Sequence, residues 1–421
     1  MADSVKRSSF LTALLDPYQP TTDRAERPSY RFTASTMSWM GPLLLGVALL
    51  VVSAIGWVNE PKQFFFSYLI GWTFCLSLAL GSLFFLTIKH LTKAYWVVTV
   101  RRIPEVLVYT FPLLIILFIP IIFGMHDLYH WTHEGIADPA SVHYDKVLAG
   151  KVSYLNTPFF LVRMAIYFAL WTYISYRLYT LSLRQDVDPD REIPVLQRRV
   201  SGWGLPVISV TTAFASFDLL MSLDAHWFST MFGVYIFGGA FMSSFCFTAL
   251  VAILLQRSGM LKNVVTVEHY HDLGKLMFGF VVFWAYIAFC QYMLYWYANI
   301  PEETIWYRHR LEHGWEMHSL MLLVLHFFLP FLILLPRFAK RSIAVMGFMS
   351  VWLLIMQWYD FHWLAMPALH PEEAGFHWLD FTCGLGLSGV FFGAFVWRLS
   401  RHPLVPQNDP LLDKSLRFEN V

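Results

Sequence analysis

Apolar residues along this chain gather into ten long blocks separated by short polar connections. They do not alternate, and they do not fall into short patches of soluble-core size. The blocks run 39–58, 65–88, 104–124, 157–183, 202–223, 228–255, 274–298, 317–336, 342–363 and 377–398. An α-helix rises about 1.5 Å per residue, so roughly 20 apolar residues cross a hydrocarbon layer of about 30 Å. Each block meets that length. The pattern therefore predicts an all-α polytopic membrane protein with ten transmembrane helices, leaving an N-tail at 1–38 and a C-tail at 399–421.

Composition agrees. Apolar residues make up 57% of the chain and charged residues 14%, against about 45–50% and 25% in soluble domains. Tryptophans cluster near block ends (Trp57, Trp96, Trp227, Trp296, Trp363), where amphipathic rings anchor at headgroup level. The formal charge of +1 gives no sign of a nucleic-acid partner. The polar start of the chain lacks the apolar core of a cleaved signal peptide. Residues 8–16 have the pattern of a short helix lying on the membrane surface.

Charge fixes the expected orientation. Ten spans put both tails on one side. The tails and the even-to-odd connections hold 23 Lys and Arg, with Lys275 and Arg398 at block ends assigned to that side, and the opposite connections hold 5. Basic residues stay on the cytoplasmic side, so both termini are expected in the cytoplasm. The four cysteines lie in four different blocks with no C-x-x-C spacing. They read as packing residues rather than cluster or haem ligands.

One pattern recurs. Asp224-Ala-His226-Trp227 closes the fifth block and Asp360-Phe-His362-Trp363 closes the ninth, four spans apart and running in the same direction. This suggests two parallel four-helix bundles, spans 2–5 (65–223) and 6–9 (228–363), with spans 1 and 10 flanking.

Ionisable groups inside a bilayer cost about 2.5–3.5 kcal/mol each on insertion scales, so those present carry the functional hypotheses. Asp218 in span five and Arg163 in span four lie at similar outer depth, where a contact would offset part of the burial cost. Asp224, His226, His318, Asp360, His362, His377 and Asp380 fall in the outer third and together form a candidate proton-accepting funnel. A structural ion pair and ordinary interfacial polar residues remain the alternatives. His326 stands near mid-membrane without a second His at its depth, which argues against a haem. On the inner side Glu105, His271 and Asp272 are candidates for a second half-channel, with Asp272 expected to cap span seven and orient His271. Lys89 and His90 are expected to snorkel to the interface. Tyr109, Tyr235, Tyr286, Gln291 and Tyr292 are candidates for a hydrogen-bonded chain between the halves, packing being the alternative.

Several runs resemble a known family. These are Phe214-Ala-Ser-Phe-Asp218 through Asp224-Ala-His226-Trp to Tyr235, then His271-Asp-Leu-Gly-Lys275, Phe283-Trp-Ala-Tyr286, Gln291-Tyr292 and Asn299-Ile-Pro-Glu-Glu303, with Tyr154-Leu-Asn-Thr-Pro through Arg163. They look like the NrfD-like integral membrane subunits of bacterial alternative complex III, a quinol:electron-acceptor oxidoreductase. The resemblance spans about residues 40–400 and is nearer the ActF type of the two paralogues. It implies a bacterial inner-membrane location and two four-helix bundles with flanking helices. It implies no cofactor on this chain, with haem c and iron–sulfur clusters on partner subunits. The partners implied are an NrfD-like paralogue, an iron–sulfur subunit, multihaem cytochrome c subunits, lipid and a terminal oxidase.

Two functions follow as expectations. One is a non-catalytic coupling subunit whose proton path draws on Asp218, Arg163, Asp224, His226, Asp360, His362, His318, His271, Asp272 and Glu105. The other is a quinone-binding subunit with His318, Asp360 and His362 forming a quinol site near the outer face. A stand-alone transporter is a third class, for which the sequence names no substrate.

Overall fold

The structure, a computed structural model, describes residue 32 and residues 37–420, so the surface helix expected at 8–16 lies outside the described residues. The described residues form no strand and contain ten helices long and apolar enough to cross a membrane: α1 Ser38–Asn59, α2 Pro61–Thr92, α3 Arg102–Phe123, α4 Thr157–Val187, α5 Ile193–Asp224, α6 Phe232–Arg257, α7 Val267–Ala298, α8 Trp315–Leu334, α9 Ile343–Leu369 and α10 Trp378–Leu399. The chain is a multi-pass membrane protein. The face bearing the Lys/Arg-rich connections is called inner below, and the opposite face outer.

Helices α2 to α5 close a four-membered ring by packing in chain order and back from α5 to α2, and α6 to α9 close a second ring in the same way. The first helix of each ring is its most enclosed, and α2 packs along α6 at the centre of the molecule. The contact is backbone-close. A Cβ on Gly81 would lie 2.0 Å from the Ala240 carbonyl oxygen, so only glycine fits that crossing. Helices α1 and α10 pair with each other and lie on α2 outside both rings. Gly46, Gly386, Gly389 and Gly393 make that seam, each with main chain or a side chain within 3 Å of where a Cβ would stand. The two-bundle arrangement is thus a packing fact.

Local chemistry sets the ends and breaks. The Asn156 side chain accepts from the Phe159 amide to start α4, and Thr266 with His269 forms a reciprocal cap on α7. Lys93 and Asn299 take left-handed backbone, φ 54° and 49°, to end α2 and α7. Helix α3 breaks at Tyr109–Thr110, just before Pro112, which has no N–H to continue the ladder. Residues 322–328 of α8 widen into a π-helix immediately ahead of Pro330, whose ring would clash with the His326 carbonyl in α-register.

Several helices outrun their apolar blocks. Helix α5 begins at Ile193 rather than 202, α7 at Val267 rather than 274, and α9 ends at Leu369 rather than 363. Hydropathy marks the lipid-facing stretch, while the helices continue wherever protein contacts satisfy their polar side chains. The long inner loop expected at 256–273 shrinks to a turn, closed by Gln256 Nε2 donating to the Val265 carbonyl (2.6 Å) and the Tyr270 hydroxyl donating to Gln256 Oε1 (2.9 Å).

Candidate functional site

Each ring carries a fully buried carboxylate on its last helix. In the first, Asp218 on α5 meets Arg163 on α4 side-on: Nη2 donates to Oδ1 at 2.8 Å and Nε to Oδ2 at 3.0 Å. The Tyr167 hydroxyl donates to the same Oδ2 at 3.2 Å. Arg163 also donates to the Tyr154 carbonyl at 2.8 Å and lies over the Tyr154 and Phe159 rings. Two parallel charge-assisted bonds with aromatic cover make a fixed ion pair.

In the second ring, Asp360 on α9 has no cation beside it among the described residues. The Tyr235 hydroxyl on α6 donates to Oδ1, and Trp284 Nε1 on α7 donates to Oδ2 at 3.2 Å. Trp284 stacks on His326 of α8 with centroids 4.1 Å apart, so all four helices contribute one side chain. His326 is fully buried, and neither of its ring nitrogens has a hydrogen-bond partner among the described residues. One turn inward from Asp360, Gln357 lies against Gly239 with both amide atoms unpartnered; a Cβ on Gly239 would come within 2.4 Å of Gln357 Oε1. Ser243 on α6 and Ser350 on α9 add two more unpartnered buried hydroxyls. Buried groups of this kind are ordinarily satisfied by internal water.

A third cluster lies at the outer rim between α2, α9 and α10. Asp380 accepts from Gln63 Nε2 (3.1 Å), from the Ser67 hydroxyl and from the His377 amide (2.8 Å). His362 Nε2 stands 3.4 Å from Asp380 Oδ2, at ion-pair distance but without hydrogen-bond alignment. His318 stacks over His362 with centroids 6.1 Å apart. A cavity of about 530 Å³ opens above Asp380, lined among others by Gln63, His370, Phe376 and His377.

The expected quinol trio is therefore divided. His318 and His362 share the rim, while both Asp360 oxygens are engaged inside the second ring by Tyr235 and Trp284, other side chains than these two imidazoles. The recurring Asp-x-His-Trp pattern also misleads on depth. Asp360 sits nine residues before the end of α9, roughly 13 Å of helix. Asp224 ends α5 half-buried, and His226 is exposed, bonded to Asp145 of the outer loop at 2.6 Å. Asp145 is held below the usual carboxylate range: what burial it has raises it, but the Leu148 amide, His226 and the Val147 amide outweigh that. What the two patterns share is Trp306, on which Trp227 stacks at 4.2 Å and Trp363 packs edge-on at 5.6 Å. Under it lies buried Arg310, which donates to the Trp306 and Leu364 carbonyls and is lowered by burial to about 9, still charged at neutral pH.

The inner face also differs from expectation. Glu105 is buried between Arg101 (2.7 Å) and Arg102 (3.1 Å) and accepts from Ser182 at 2.8 Å. Arg102 reaches Asp186, and Arg101 reaches Asp409 of the C-tail. Burial alone would lower Arg101, but Glu105 and Asp409 raise it above its ordinary value. Lys89 and His90 do not snorkel: both are buried, and Lys89 lies 4.0 Å from Asp409 of the C-tail. His271 and Asp272 lie in the second turn of α7, whose cap is Thr266; Asp272 pairs with Lys275, and His271 Nδ1 has no hydrogen-bond partner among the described residues. The proposed polar chain does not form. Tyr286 is exposed, Tyr109 packs at a tilt against Tyr179, and Gln291 bonds Ser229 and Tyr307.

Among the described residues no three His, Cys, Asp or Glu side chains come together as a metal-binding group. Compared with protein-family models and with curated proteins, the chain matches none.

Proposed function

We propose that this chain is a membrane subunit of a bacterial respiratory quinol:electron-acceptor oxidoreductase of the alternative complex III kind. In this reading it lies in the inner membrane with both termini cytoplasmic. Haem c and iron–sulfur groups reside on partner subunits, and quinol is oxidised in a neighbouring chain. This subunit contributes a scaffold and a protonatable route.

One observation carries the reading: Asp360 is buried in mid-bundle among neutral donors, with the unpartnered Gln357 amide one turn away and the unpartnered His326 imidazole stacked on its donor Trp284. No cation holds it ionised, so a proton is gained or lost there without breaking an ion pair. That is the character of a relay group. Asp218, locked by Arg163, acts as the structural counterpart. The runs 214–235 and 271–303 behind the family resemblance contribute Asp218, Tyr235 and Trp284 to these two clusters, which supports the same reading.

The quinone-binding alternative is less favoured, because Asp360 is engaged away from His318 and His362. Purification of the tagged chain from its native membrane tests the proposal. Haem c and iron–sulfur proteins should co-purify and be reduced by added quinol, and a quinone photolabel should mark a partner. A chain that purifies alone, or a label on α8 and α9, contradicts it.

A further inference from the structure

The outer cavity opens above Asp380, one of the outer-third groups that the sequence offers for a proton funnel. We infer that this cavity is the outer aqueous mouth of the proton route, and that Asp380 with His362 forms its first relay. The inference rests on the coupling role proposed above.

Asp380 has a structural duty, since its Oδ2 accepts from the His377 amide and closes the reciprocal cap on α10. A cap needs no more than that. Yet Oδ1 takes two further donors, Gln63 and Ser67, both reaching across from α2. The carboxylate is 1% exposed and still lines an opening of about 530 Å³. Behind it, away from solvent, His362 offers two ring nitrogens that make no hydrogen bond, one of them 3.4 Å from Oδ2. A carboxylate with a solvated opening above it and an uncommitted imidazole behind it passes a proton by simple exchange. A hydronium in the cavity gives its proton to a carboxylate oxygen and becomes water; the carboxyl group passes that proton to the imidazole nitrogen, leaving a carboxylate and an imidazolium, and the reverse sequence releases it.

The mouth carries charge suited to protons or hydrated cations. Glu60, Asp127 and Glu373 surround it together with Lys62, and His377 stands 3.4 Å from Glu60 across one edge. Phe376 packs on the His362 ring at 4.7 Å and separates it from the open space, which leaves Asp380 as the contact between cavity and imidazole.

The test uses the intact complex in liposomes, with Cys290, the least buried native thiol, changed to Ser. Gly375 lines the cavity with open space around it, so Gly375→Cys marks the mouth and Asp380→Cys the floor. A membrane-impermeant cationic thiosulfonate added from the outer face should modify both. Gly375→Trp should slow modification of Asp380→Cys by about tenfold or more. An Asp380→Cys that stays unmodified while Gly375→Cys reacts overturns the inference. In proton measurements, Asp380→Asn, which keeps an acceptor for the cap, and Gly375→Trp should each lower protons moved per electron while quinol oxidation continues. If Asp360→Asn lowers that ratio and Asp380→Asn does not, the mouth lies elsewhere and the coupling role stands. If none of the three lowers it, the coupling role itself falls.

Discussion

In the first ring Asp218 receives Nε and Nη2 of the Arg163 guanidinium, whereas in the second Asp360 receives a phenol O–H and an indole N–H. The helices, the burial and the place in each ring correspond, but the partners do not. A buried ion pair contributes little over a well-packed apolar pair, yet losing one member strands a charge and costs about 3–5 kcal/mol. A buried carboxyl group held by neutral donors loses about 1–3 kcal/mol per donor removed. The rings should therefore respond oppositely to mutation, the first in stability and the second in proton handling.

The largest effect should come from Arg163→Ala, a loss of about 3–5 kcal/mol read by thermal unfolding in detergent. Replacing Arg163 and Asp218 together by Leu should recover much of it. Equal losses in the single and double variants would break the comparison.

Next is Gly81→Ala at the crossing of the rings, where overpacking against the Ala240 carbonyl should cost about 1–3 kcal/mol. Gly202→Ala, on α5 with nothing within 4 Å, is the control and should change little.

The C-tail gives a pH-dependent effect. Burial alone would raise Asp409, but Arg101 and then Lys89 hold it below its usual value. A depressed carboxylate stabilises the fold above its unfolded value, near about 3.9, and that contribution is lost as pH falls through the lower folded value. Stability should drop on acidification below about pH 4 in the parent and less steeply in Asp409→Asn. Parallel curves would remove the C-tail from the account. Tyr235→Phe leaves Asp360 Oδ1 without its donor while Trp284 still serves Oδ2, and should cost about 1–3 kcal/mol, read by thermal unfolding in detergent.

Most of the fold was legible because a bilayer forces long apolar blocks, and the matched depth of Arg163 and Asp218 located one site. Partner identity was not. Trp284 reads as one aromatic among many until α7 is placed against α9, and Asp409 lies over 300 residues from Arg101 in the chain. The Arg101, Arg102 and Glu105 spacing is a one-turn ion-pair pattern legible in the chain, and it makes Glu105 an ion-pair partner where the sequence alone offers a half-channel candidate. The Asp-x-His-Trp echo pointed to a true repeat for an incomplete reason: its tryptophans converge on Trp306, while its carboxylates lie at different depths.

The central claim is that the second ring moves protons and the first holds the fold. Protons translocated per electron should therefore be measured in liposomes holding the assembled complex with Asp360→Asn or Asp218→Asn. The account predicts a lower ratio with continued quinol oxidation for Asp360→Asn, and poor assembly with an unchanged ratio in whatever assembles for Asp218→Asn. A normal ratio in well-assembled Asp360→Asn would contradict it.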